Sequence, residues 1–284
     1  MSGELNIKRL DTLYPEAPGN KYFKLKYNLL KAQSKGVDRI VTVGGPWSNH
    51  LHATALSCQK EGIPCVGLVH GNKPPTLSPT LKDCQEAGME LQFLDRTWYA
   101  ERTSEAFKAW VNDTFSFCYF IPEGGRNYLG LNGCMEILKG DDKTFSRIAV
   151  SVGTGTTLAG LLLSAAPQQT FLAFPALKDD TLEERIKEQL YWATTDMELA
   201  EDLMNKVTWV NDYTFGGFAK STPELIDFIR SKEKEGIPLD LVYTAKMIFG
   251  LEDLARKGDI NLADVLAVHT GGLQGNRSIG WTPH

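Results

Sequence analysis

Short apolar runs ending in glycine or a small polar turn alternate, along this chain, with polar stretches of helical spacing. "RIVTVGG" leads into "SNHLHATALSCQKEG", "IPCVGLVHG" into "SPTLKDCQEAG", and "RIAVSVGTG" into "TTLAGLLLSA". "LNIKRLD", "ELQFLD", "TFLAFPAL" and "DVLAVHTGG" add further strand-like runs. Buried strands separated by helices predict βαβ units on mostly parallel sheets. The stretch "FCYFIPEGGRNYLGLNGCMEIL" breaks the rhythm and reads as a passage back across a lobe boundary. The expectation is an α/β fold of two three-layer α/β/α lobes around a cleft, with a larger discontinuous lobe from 1-34 and 128-284 and a smaller one from 35-127.

A chain of 284 residues can bury the core such a fold needs. Its net charge of -5 gives no general reason to hold nucleic acid, and no apolar run approaches a membrane span or signal-peptide core. A cytoplasmic location is expected. Cys58, Cys65, Cys84, Cys118 and Cys134 form no CxxC pair or zinc-like cluster with histidine, and His50 and His52 point to different sides of a helix, so no metal site is expected.

The lysine-rich stretch "NKYFKLKYNLLKAQSKG" reads as a helix capped by Asn20 and stopped at Gly36. Lys24, Asn28 and Lys31 then share a face opposite Tyr22, Leu25 and Leu29, the pattern of a solvated surface. Lys21 occupies the first helical position, where the helix dipole disfavours a cation unless an anion is near, and so favours a neutral amine.

Three glycine-bearing turns and one helix start carry polar groups. In "SVGTGTTLAG", Gly153 and Gly155 permit a tight turn while Thr154, Thr156 and Thr157 offer hydroxyls beside helix-start amides, which suits either an anion or an ordinary strand-to-helix turn. In "TVGGPWSNH", Ser48, Asn49 and His50 begin a helix and serve as cap, ligand contact or both. "DLVYTAKMIFG" places Tyr243 and Thr244 before a helix, and "HTGG" places Thr270 after a strand, with His269 read as structural.

Taken in order, "GNKYFKLKYNL", "GGPWSNH", "PEGGRNYLG", "GTGTTLAG", "DLVYTAKMIFGL" and "HTGG" resemble the fold-type-II, tryptophan-synthase-β-like pyridoxal-phosphate enzymes that include 1-aminocyclopropane-1-carboxylate deaminase and D-cysteine desulfhydrase. The resemblance spans nearly the whole chain. It implies pyridoxal 5'-phosphate in the cleft, a Schiff-base lysine at Lys21, with Lys24 the nearest alternative, and a phosphate loop at Gly153 through Thr157. It implies also that Asn49 contacts the cofactor's ring hydroxyl and that Ser48 and His50 belong to the substrate site. Tyr243 is implied to touch substrate or ring, Thr244 to lie at the ring nitrogen and Thr270 to line the cofactor site. A homodimer is expected on the same ground.

This chain departs from the family pattern. Leu10 in "KRLD" replaces an acidic residue, and Phe218 in "TFGGFAK" stands where relatives often place a substrate-side tyrosine. The chain begins close to the "KRLD" motif, so an edge of the larger lobe is expected to be exposed or covered by a partner. Thr244 and Thr270 replace the carboxylate and leucine of true deaminases, and threonine at the ring nitrogen is expected to leave it weakly protonated. The resemblance therefore implies β-elimination from a small amino acid, foremost D-cysteine, giving pyruvate, ammonia and sulfide. The alternatives are deamination of 1-aminocyclopropane-1-carboxylate or D-serine, and a catalytically impaired binding protein motivated by Leu10 and Phe218.

Overall fold

The computed structural model describes residues 3–15, 17–176 and 178–281; Glu16 of the expected "YPEAPG" turn and Leu177 of the expected "TFLAFPAL" strand lie outside them. The first half runs β1 (Asn6–Arg9), α1 (Asn20–Lys35), β2 (Arg39–Gly44), α2 (Asn49–Glu61), β3 (Cys65–His70), α3 (Pro79–Glu86), β4 (Met89–Leu94), α4 (Arg96–Ala100), α5 (Glu105–Thr114) and β5 (Cys118–Ile121). The second half runs α6 (Tyr128–Cys134), β6 (Arg147–Val152), α7 (Thr156–Ser164), β7 (Thr170–Pro175), α8 (Leu182–Thr194), α9 (Met197–Met204), β8 (Val207–Trp209), α10 (Pro223–Lys234), α11 (Thr244–Lys257) and β9 (Val265–His269).

Two sheets result, ordered β4-β3-β2-β5 and β1-β9-β6-β7-β8. Every strand pairing among the described residues is parallel, so each connection must cross over, and the helices cover both faces. On one face of the larger sheet, Leu158, Leu161, Ile186 and Leu190 of α7 and α8 pack on Ile148 and Val150; on the other, Leu225 and Ile229 of α10 and Met247, Ile248 and Leu251 of α11 pack on Ala149 and Ala267. In the smaller sheet, β2 sits between β3 and β5, and in the larger, β6 sits between β7 and β9. At these positions neighbouring crossovers leave in opposite directions, which opens a crevice beyond the carboxyl ends of the strands. The turns after β2, β5, β6 and β9 therefore converge.

Helix α1 belongs to both cores: Phe23 packs with the larger sheet, Leu25 and Ala32 with the smaller. Its start corrects one expectation. Asn20 is the first helical residue and Gly19 caps it at φ 75, because a side chain there would meet the Thr270 carbonyl at 2.0 Å. Lys21 is thus the second helical residue. Lys24 and Asn28 are also not solvated, being 4% and 0% exposed, whereas Lys31 is exposed as expected. Leu10 is fully buried among Phe23, Leu131 and Val268, a burial worth about 2 kcal/mol, so its replacement of an acidic residue extends the core. No helix among the described residues is long and apolar enough to cross a membrane.

Candidate active site

The first turn of α1 carries two lysines into the crevice. Backbone N–H of Asn20 donates to the Thr270 carbonyl, fixing α1 against the end of β9. The Asn20 side-chain amide donates to Thr157 Oγ1 at 2.8 Å, while its Oδ1 accepts from Lys21 Nζ, also at 2.8 Å. Lys21 is partly buried by area, but protein atoms surround its amine; burial, and then the charge of Lys24, lower its pKa to about 7. Burial also pushes down the amine of Lys24, which lies 3.4 Å from Thr154 Oγ1.

Those lysines face the turn between β6 and α7. Gly155 caps α7 at φ 86, where a Cβ would fall 2.4 Å from Ile186 Cγ1, and no side chain caps the helix. The first amides of α7 therefore keep their N–H groups without a side-chain capping acceptor among the described residues, near two lysine amines and at the positive end of a helix dipole. The three threonines divide the work. Thr156 donates its hydroxyl to Gln189 Oε1 at 2.7 Å, Gln189 Nε2 donates to the Thr154 carbonyl at 3.1 Å, and the Thr156 and Gln189 side chains are both buried. Thr157 Oγ1 accepts from Asn20, leaving Thr154 as the partly exposed hydroxyl beside Lys24. In this arrangement the Thr156 hydroxyl proton is committed to Gln189, and its oxygen lies 3.3 Å from Thr154 Oγ1.

Across the crevice, Ser48 caps α2, its Oγ accepting from His50 N and Leu51 N at 3.2 Å each. Both lone pairs are then used, and the hydroxyl proton is left to donate. Asn49 Oδ1 accepts from Gln274 Nε2 at 2.5 Å. The His50 side chain is buried: Nε2 pairs with Thr42 Oγ1 at 2.9 Å, and Nδ1 makes no well-formed hydrogen bond among the described residues. Burial and then the lysine charges hold its pKa well below the ordinary histidine value, so His50 is neutral. The loop after β5 closes over this group, since a Cβ on Gly125 would stand 3.0 Å from Lys24 Cβ and 3.6 Å from His50 Cε1.

The fourth wall precedes α11. Asp240, 1% exposed, accepts from the backbone N–H groups of Val242, Tyr243 and Thr244 and from Thr244 Oγ1 at 2.7 Å. Thr244 Oγ1 in turn accepts from Asp240 N at 2.8 Å. The Tyr243 phenol is held protonated by burial and lies against the turn between β6 and α7: a Cβ on Gly153 would be 3.1 Å from its hydroxyl. Phe218 is 54% exposed and meets Tyr243 edge-on at 6.2 Å. Beneath Thr270, buried His269 Nδ1 lies 3.0 Å from Asp11 Oδ1, and Nε2 from the Pro238 carbonyl at 2.8 Å, which makes His269 structural.

The fold thus gathers Lys21, Ser48, Asn49, His50, the Gly153–Thr157 turn, Tyr243, Thr244 and Thr270 at one crevice, with Phe218 reaching it through Tyr243. Sequence reasoning named Lys24 only as the alternative Schiff-base lysine and otherwise as a solvated residue, not as a cation beside this turn, and it missed Asn20, Asp240, Gln189 and Gln274 as the site's fixings. Asp240 alone left a local signal, an aspartate shortly before a helix start.

Two parallel α/β lobes with a near-neutral lysine amine facing an uncapped helix start define a class of enzyme that holds an aldehyde-bearing, anionic cofactor. The chain belongs to the family described as PALP, pyridoxal-phosphate dependent enzyme, whose profile matches residues 2–271. It is 32% identical over 299 residues to the "Putative 1-aminocyclopropane-1-carboxylate deaminase" of Pyrococcus horikoshii, covering 99% of this chain and 88% of the relative. It is 28% identical to the mitochondrial bifunctional D-cysteine desulfhydrase/1-aminocyclopropane-1-carboxylate deaminase of Arabidopsis thaliana, covering 96% of this chain and 73% of the relative. A solved structure titled "Crystal Structure Analysis of the ACC deaminase homologue" superposes with TM-score 0.78 at 30% identity, over 96% of this chain and 86% of that one.

Proposed function

We propose that this protein is a pyridoxal-phosphate-dependent lyase of a small amino acid, that Lys21 is its Schiff-base residue, and that β-elimination from D-cysteine is its foremost reaction. The observation carrying the reading is the Lys21 amine, lowered to about 7 and facing the uncapped start of α7 with Lys24 beside it. These residues fit the cofactor: the α7 amides, Thr154 and Lys24 match a phosphate, and Gly124, Gly125 and Gly153 shape a cradle that Cβ atoms would fill. When bound, pyridoxal phosphate supplies an aldehyde for an amine and an electron sink for a carbanion at Cα.

The chain's own groups supply the rest. Lys21, neutral above about pH 7, can attack a carbonyl and, once released by the incoming amino acid, take the Cα proton. Ser48 offers its remaining hydroxyl proton to a substrate carboxylate, and neutral His50 adds no charge to the space the lysines share. Expulsion of a β-thiolate and addition of water then yield pyruvate, ammonia and sulfide.

A second reading, deamination of 1-aminocyclopropane-1-carboxylate, is favoured by Thr244. Its hydroxyl proton goes to Asp240, so it presents only a lone pair, backed by a carboxylate, to a group approaching it. That arrangement suits a protonated ring nitrogen and weakens the expectation that threonine there disfavours ring opening. Leu10 gives no support to a noncatalytic protein, because it fills the core.

Borohydride reduction of the purified protein with its cofactor, followed by peptide mapping, should place the label on Lys21. Sulfide and pyruvate from D-cysteine but not L-cysteine are expected, whereas 2-oxobutyrate from the cyclopropane substrate would establish the second reading. Intact turnover by Lys21→Ala would sink the assignment.

A further inference from the structure

Lys246 has no part in the chemistry above, yet it is buried to 2% exposure in the first turn of α11, just beyond Tyr243 and Thr244. Among the described residues no carboxylate lies within ion-pair distance of it. Its ammonium instead donates to two carbonyls of one loop, Thr214 O at 2.8 Å and Gly217 O at 2.7 Å. Burial lowers its pKa to about 8, the expense of holding a cation where an apolar side chain would be cheaper.

The loop it grips is strained. Phe215, Gly216, Gly217 and Ala219 all have positive φ, at 51°, 89°, 116° and 55°, and two of these residues carry a Cβ. Such backbone persists only where its surroundings over-determine it. Its own bonds, Gly217 N to Thr214 O and Lys220 N to Gly217 O, use the same two carbonyls that Lys246 holds. The residue this loop presents is Phe218, edge-on to Tyr243 and otherwise half in solvent.

We propose that Lys246 is a positioning residue that clamps the 214–220 loop and thereby sets Phe218 as the aromatic wall facing the substrate's side chain. The proposal rests on reading the Tyr243 crevice as the amino-acid site. A ring without a hydroxyl at that wall suits a soft or apolar substituent over a hydroxylated one, and its reach into the crevice is fixed from α11.

Lys246→Met, Phe218→Ala and the double variant of the holoenzyme test it. Lys246→Met should raise KM for the amino acid about tenfold with kcat and cofactor affinity little changed, the signature of lost substrate binding. Phe218→Ala should do the same, and the double variant should be no worse than either single change, because both act through one wall. Amide hydrogen exchange should quicken about tenfold across 214–220 and not along α11. Additive KM effects, an unchanged KM in folded Lys246→Met, or exchange spread through α11 would overturn the clamp. Lys246→Gln, which can still reach one carbonyl, carries the same test should the methionine variant not fold. If the wild type turns over neither cysteine nor the cyclopropane acid, the proposed function fails, while the exchange arm still decides the clamp.

Discussion

Two helix starts face each other across the crevice, and they are finished in opposite ways. At α2 the chain caps itself: Ser48 takes the N–H groups of His50 and Leu51, and Thr42 holds the imidazole below. At α7 the cap position is a left-handed glycine with no side-chain acceptor among the described residues, and the Thr156 hydroxyl donates to Gln189 instead. Both follow a parallel strand, and both have the same dipole. The self-capped start has spent its amides and can offer side chains, whereas the open start is incomplete until something anionic arrives. Under the proposed function, phosphate is assigned to α7, and directional contacts to substrate or ring to α2.

The contrast breaks most readily at Lys24. Lys24→Met should weaken pyridoxal phosphate binding by about 2 kcal/mol, roughly thirtyfold, and leave phosphate-free pyridoxal nearly unaffected, as fluorescence titration can measure. Equal weakening of both ligands would mean that the open helix start is not the phosphate site. Next in size is a pH effect. Lys21 is protonated below about 7, so cofactor capture should slow about tenfold per pH unit beneath that value and level off above it. Lys24→Met removes a neighbouring positive charge and should move the midpoint upward; stopped-flow capture rates across pH read both effects. Smallest is Ser48→Ala, expected to cost about 1 kcal/mol of stability in thermal melts with cofactor affinity within about twofold. A large loss of affinity there would erase the division between the two starts.

Much of this was legible. The apolar runs of β2, β3, β6 and β9 and the turns after three of them name the crevice before any coordinate does. What hid was short or remote. Strand β5 has four residues, only one of them buried, and β8 has three, so neither shows a run or a clean alternation. The cap of α1 was misread because the local preference favours Asn20, while the deciding contact, the Thr270 carbonyl pressed on Gly19, lies far along the chain. Lys24 and Asn28 looked like a wet face for the same reason. The cover over that face comes from Gly125 and from Asn127, whose amide donates to Asn28 Oδ1 at 2.7 Å. Gln189 and Gln274 carried no local signal, since a helical glutamine is ordinary until its partner is known.

One pairing also sets an order of events during synthesis. Among the described residues strand β1 pairs with β9 alone, Asn6 opposite Leu266, so β1 waits for a strand made some 260 residues after it. Over that interval β1 has no ladder, and the turn that fixes Lys21 lacks the Thr270 carbonyl it leans on. The smaller sheet, contiguous in the chain, can form early. On the proposed reading, Lys21 is made long before its geometry is set, which makes cofactor capture a report that β9 has docked beside β1.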